Sequence, residues 1–152
     1  MRHRTAKLSA IGLIALLGGP SALASLGGTE ATVDADRLQI GATRRVVNAD
    51  TRFTLHELQA PSGTTMREYV SPTGVVFGVA WQGPTMPDLR QLLGAYFDQY
   101  IGATTERRIR RGPVSIQLPG LVVQSSGHMR AFAGKAYVPA ALPQGVSTED
   151  IR

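Results

Sequence analysis

Few side chains in this sequence could do chemistry, and they fall in three places. Beyond residue 24 the only histidines are His56 and His128, and the chain has no cysteine. A zinc site would then have to be built mostly from carboxylates, and no His-Glu-x-x-His, calcium-loop or clustered ligand spacing occurs. No metal or other cofactor is expected. His56 has a different use if it lies across from Glu68. A carboxylate there would orient the imidazole as a general base, with Arg67 or Tyr69 close by, as a hydrolase or isomerase requires. The competing reading is a cross-strand ion pair on a half-exposed sheet face. Ser125, Ser126 and His128 bring hydroxyls near an imidazole, but without a Gly-x-Ser-x-Gly elbow or a third triad member, so they read as turn residues. Arg107, Arg108, Arg110 and Arg111 are the one basic concentration. They are candidates for holding an anionic partner, or for complementing a helix C-terminus and blunting a sheet edge. With no aromatics interleaved among them, a nucleic-acid partner is not expected.

The elements that would position these residues are legible from turns and periodicity. Ala60-Pro61-Ser62-Gly63 and Ser71-Pro72-Thr73-Gly74 are two turns of one design. In each, proline presets the first corner of a type I turn and glycine takes the left-handed position of a following bulge. The β-formers around them predict a three-stranded antiparallel meander over residues 53–82. Closing the first loop places Ala60 opposite Thr64, Glu57 opposite Arg67 and His56 opposite Glu68. Closing the second places Ser71 opposite Val75, Tyr69 opposite Phe77, Glu68 opposite Gly78 and Met66 opposite Ala80. Phe53, Leu55, Tyr69, Val75, Phe77, Val79 and Trp81 then form one core face. His56, Glu68, Gly78, Ala80 and Gln82 line the other.

A helix follows. Thr85 and Asp88 resemble a capping box, Leu89, Leu92, Leu93, Tyr96, Phe97, Tyr100 and Ile101 recur on one stripe, and Gly102 reads as the C-cap. Residues 104–138 alternate again, with turns at Pro119-Gly120 and Ser125-Ser126-Gly127, and predict two or three more strands. The tail from Pro139 is expected to lie extended over the surface. Residues 25–50 read as a loosely packed leader with a short helix near 32–45. The expected class is α+β, antiparallel meanders packed on one long amphipathic helix, in an order that suggests a duplicated αβββ unit.

The N-terminal stretch reads as an export signal. Arg2, Arg4 and Lys7 precede an uncharged apolar run over residues 8–17, and Ala22-Leu23-Ala24 offers small residues where a signal peptidase reads. Cleavage between Ala24 and Ser25 is expected, leaving residues 25–152 as a single domain with no stable membrane span. Removing those three basic residues lowers the formal charge from +5 to +2. The basic isoelectric point is then a weak argument for any particular partner. Without disulfides an exported chain must rely on its packed core.

Several stretches taken together resemble one family. They are Arg67-Glu68-Tyr69-Val70-Ser71-Pro72 with Gly74, Phe77-Gly78-Val79-Ala80-Trp81 with Gly83-Pro84, Pro87-Asp88-Leu89 with Leu92-Leu93-Gly94 and Tyr96-Phe97, and Gly127-His128-Met129-Arg130-Ala131-Phe132. The chain is similar to domain of unknown function 2844, and the resemblance implies a small exported proteobacterial protein with no activity or catalytic residue to carry over. The expectation is a periplasmic or secreted, non-enzymatic module that binds an envelope or secreted macromolecule through a sheet face or edge. The rivals are an envelope hydrolase or isomerase using His56 and Glu68, and a small inhibitor or chaperone-like module.

Overall fold

The two proline-glycine loops form as their residues dictate. In the computed structural model, which describes residues 26–106 and 112–152, Gly63 and Gly74 take φ of 87° and 79°. Ala60 N–H donates to Thr64 O at 2.9 Å, and Ser71 N–H to Val75 O at 2.8 Å. The strands they join are β2 (Thr54–Gln59), β3 (Thr65–Val70) and β4 (Val76–Gly83). They are preceded by helix α1 (Glu30–Ile40) and strand β1 (Arg44–Ala49). Helices α2 (Leu89–Leu93) and α3 (Phe97–Glu106) then lead to β5 (Val114–Leu118), β6 (Leu121–His128) and β7 (Ala131–Tyr137). The seven strands form one antiparallel sheet in the order β1-β2-β3-β4-β7-β6-β5, so an α+β fold is built from two meanders joined where β4 pairs with β7. No described helix is long and apolar enough to cross a membrane.

The first hairpin has the expected register, with His56 opposite Glu68 and Glu57 opposite Arg67. The second departs from it. Val70 pairs with Val76, but Tyr69 pairs with Gly78, Glu68 with Val79 and Met66 with Trp81, because the ladder slips by one residue between Tyr69 and Val70. The extra residue on β4 is Phe77, a β-bulge. The bulge keeps Phe77 beside Tyr69 and Phe53, with ring centroids 5.5–6.2 Å apart. It also turns Val79 and Trp81 to the opposite face. The single aromatic core face expected from period two is therefore divided between two cores, and β4 is buried on both sides along most of its length.

One core lies under the helices and gathers Leu26, Val33, Met66, Val79, Trp81, Leu92, Leu93, Ile116 and Val123. Residues 26–49, anticipated as a leader, carry α1 and β1 and contribute Leu26 and Val33 to it. The second core, Tyr69, Phe77, Ala80 and Ile151 with Phe53 and Leu55 against them, lies under the C-terminal tail. Ile151 is fully buried, and a Cβ on Gly78 would meet its Cδ1 at 2.9 Å. The Tyr69 hydroxyl donates to Arg152 O at 2.9 Å and accepts from Arg152 N–H at 3.1 Å. The tail is thus a packed element.

The helical run 89–106 starts and ends differently from the expected helix. Its cap is Asp88, whose carboxylate accepts from the N–H groups of Arg90 and Gln91. Thr85 instead joins Ser62 and Thr64 in a hydroxyl cluster, each contact 2.8 Å. Gly94, at φ 49° and ψ −122°, interrupts the run with a 3-10 turn over Gly94–Tyr96, and Gly102 sits inside α3. The interruption changes the phase of the stripe. Ala103 turns inward while Ile101 stays 43% exposed.

Candidate functional site

His56 and Glu68 are neighbours across β2 and β3 on the face covered by α1, and both are buried, at 1% and 0% exposure. They do not act on each other. His56 Nδ1 lies 2.9 Å from Arg45 Nη2. A guanidinium can only donate, so Nδ1 accepts and the ring proton is assigned to Nε2. Nε2 is 3.3 Å from Glu30 Oε1, within ion-pair distance but off hydrogen-bond alignment. Burial first, then the Arg45 charge, lowers the His56 pKa against the opposing pull of Glu30. The imidazole is therefore neutral near pH 7. Arg45 also pairs through Nη1 with Asp34.

Glu68 faces Asp36 of α1, which the sequence offered no reason to single out. Asp36 is fully buried, and its Oδ1 accepts from Gln91 Nε2 at 2.7 Å. Asp36 Oδ2 and both Glu68 oxygens have no aligned hydrogen-bond partner. Burial raises both carboxyl pKa values, and the nearby Asp36 charge raises that of Glu68 further. Two carboxylates this close in a low-dielectric layer cannot both ionise readily, so one holds a proton at neutral pH. The signal for Asp36 was hidden because α1 has no clean apolar stripe: Val33 and Asp36 point inward while Leu38 is 71% exposed.

A general acid needs a substrate within hydrogen-bond reach. A cavity of about 190 Å³, lined in part by Ile40, Met66, Met86 and Gln91, reaches Gln91 and stops short of Asp36, Glu68 and His56. Arg67 and Tyr69 lie on the other face of the sheet. Arg67 Nε is 2.8 Å from Glu57 Oε2 and its Nη1 donates to Arg152 O, while Tyr69 clamps the tail. The sheet thus separates them from His56 and Glu68. What the cluster does is tie α1, β1, β2, β3 and α2 together through a polar layer inside the helix-side core. Among the described residues no three His, Asp or Glu side chains converge as metal ligands.

The tail side of the sheet contains a more open feature. The tail covers β2, β3 and part of β4 but leaves the far half exposed, where a trough of about 550 Å³ crosses β4, β7, β6 and β5. Strand pairing aligns Gln82, Ala133 and Ser126 in one row and Ala80, Lys135, Gln124 and Ser115 in another. Between them the backbone of Trp81, Gly134 and Ser125 forms the floor, and Ile151 and Arg152 close one side. Gln82, Ser115, Gln124, Ser126 and Ala133 are exposed. Lys135 is half-buried, its Nζ held 2.7 Å from Thr148 O. The residues 125–127 expected to turn are inside β6. The reversal falls at Met129 and Arg130, where Arg130 takes φ 65°. Ser125 and Ser126 consequently face opposite sides, and no nucleophile–histidine pair forms with His128.

Arg107, Arg108, Arg110 and Arg111, and the expected cleavage point at Ala24 and Ser25, lie outside the described residues. Neither curated proteins nor solved structures give a match to this chain. A family model does match over residues 22–151, and the chain belongs to that family, described as protein of unknown function (DUF2844).

Proposed function

We propose that the protein is an exported, non-enzymatic binding module that engages a macromolecule of the cell envelope or its surroundings through the open half of its sheet. The trough across β4, β7, β6 and β5 carries this reading, because it combines concavity with exposed hydrogen-bonding side chains on a rigid scaffold. Export rests on the basic start, the apolar run over residues 8–17 and the Ala22-Leu23-Ala24 site. The periplasm, or the medium beyond it, is the location this implies. The hydrolase or isomerase reading is the weaker one, since His56 and Glu68 are sealed beneath α1. The order of elements, with α1 before β1–β4 and α2–α3 before β5–β7, supports an origin in two helix-plus-meander halves.

The test uses a face-specific block. Ala133→Tyr places a ring in the trough from an exposed position without entering either core. The purified chain, immobilised, is expected to retain a component of envelope extract that the variant loses while keeping its unfolding midpoint. Equal retention by both chains would overturn the sheet-face reading, and turnover of a substrate abolished by Glu68→Gln would restore the enzymatic one.

A further inference from the structure

The trough has a chemical character specific enough to name its ligand class, and the inference rests on the binding reading above. Among the described residues that line it there is no aspartate or glutamate, whereas Lys135 and Arg152 are there. Lys135 is held in place by the Thr148 carbonyl, so the ammonium keeps donors for a ligand without losing further side-chain freedom on binding. Along the walls, Gln82, Gln124 and Ser126 offer amides and a hydroxyl that both donate and accept. Four strands at the usual spacing give the trough a length of about 14 Å across the sheet. Exposed Pro113 and half-buried Val114 make the β5 end of the trough its apolar part. A peptide or lipid ligand would require an apolar seat or a free strand edge, and the trough offers these only at its β5 end, since β4, β7 and β6 are each paired on both sides.

We infer that the trough binds an acidic polysaccharide outside the cytoplasm, a chain of uronate sugars whose carboxylate is held by Lys135 with Arg152 and whose hydroxyls are met by the Gln and Ser rows. The carboxylate supplies charge complementarity to Lys135 and Arg152. The hydroxyls match side chains that pair equally well as donors or acceptors. Ala133, small and exposed, leaves room in its row for a ring to settle.

The probe is alginate, a uronate polymer, titrated against the purified chain by calorimetry or affinity electrophoresis, beside dextran as the neutral glycan and poly-glutamate as the acidic peptide. Alginate is expected to bind, and the two comparison polymers are not. Lys135→Gln should weaken alginate binding about tenfold, the effect of losing one charge-assisted hydrogen bond, and Ala133→Tyr should remove it. Arg44→Gln, a charge change on exposed β1, should leave it unchanged. Binding of poly-glutamate at comparable strength would overturn the proposal in favour of an acidic peptide. Comparable binding of dextran would remove the role of the charge. No alginate binding, or binding unaffected by either trough variant, would overturn it too. Where alginate fails but Ala133→Tyr still abolishes retention of an envelope component, the ligand class is wrong and the sheet-face reading stands. Where both fail, that reading falls with it.

Discussion

The two faces of the sheet solve the same burial problem by different means. On one side, helices α1, α2 and α3 cover the strands, and the seal holds even over charged groups: Asp36, His56 and Glu68 are at most 1% exposed. On the other, a tail without regular secondary structure beyond a short 3-10 turn covers only half the strands. It does so with a few anchors, Ile151 on Gly78 and the Tyr69 clamp on Arg152. Titratable groups that look catalytic are on the sealed face, and unremarkable glutamines and serines are on the open one. Access, and not reactivity of residue type, separates a structural polar cluster from a binding surface.

The largest expected effect comes from removing the main anchor on the tail side. Ile151→Ala vacates a fully buried site between Gly78, Phe77 and Ala80, and buried Ile→Ala changes destabilise by about 2–5 kcal/mol. If the tail is an integral part of the fold, urea unfolding remains one transition with a lower midpoint. If it is a detachable strap, the same variant releases residues 139–152 to proteolysis while the midpoint hardly moves. Limited proteolysis read alongside the unfolding curve decides between them.

The second effect tests the sealed face. Burial and the neighbouring Asp36 push the Glu68 pKa up to about 9, so between the ordinary carboxylate range and that value the folded protein holds a proton that the unfolded chain has released. The sign follows: the folded state binds more protons, so stability is fully present at low pH and falls as pH rises through this window, by up to about 1.4 kcal/mol per pH unit for one group. Glu68→Gln keeps the shape and removes the ionisation. Its amide also offers a donor to the unpartnered Asp36 Oδ2. The variant and the parent should match near pH 4, and the variant should be the more stable at pH 8. Parallel stability curves over that range would mean that the Glu68 carboxyl is not buried against Asp36.

These contrasts also mark how far the fold was readable. The loop at Pro61 set the first hairpin register because its glycine leaves one way to close the turn, and the loop at Pro72 closed as expected but fixed the second ladder only as far as Val70. The Phe77 bulge was not readable, since it satisfies two cores at once and a period-two count assumes one. Strand β1 was missed because Arg44–Ala49, an edge strand, carries arginines and exposed valine and lacks apolar alternation. Asp36 was missed for the converse reason: an acid on a polar helix gives no hint that it faces inward. The trough required knowing where the tail stops. From sequence, Gln82, Gln124 and Lys135 are ordinary outward-facing strand residues.

The smallest effect concerns the boundary between the covered and open halves of the tail-side face. Glu57 and Arg67 form the cross-strand pair that the first loop dictates, 2.8 Å apart and partly exposed. Such pairs contribute roughly 0.2–1 kcal/mol, less in salt. Arg67 also donates to Arg152 O at 3.1 Å, which couples the pair to the tail. Glu57→Gln removes the charge partner and leaves the tail contact in place, whereas Arg67→Gln removes both. A double-mutant cycle through Ile151→Ala separates the two roles. If Arg67 acts only through Glu57, its effect is the same with and without Ile151. If it helps hold the tail, the two substitutions are non-additive, because a released tail leaves Arg67 nothing to grip. Non-additivity of a few tenths of a kcal/mol would place the edge of the covered half at Arg67, with the open trough beginning at the next strand.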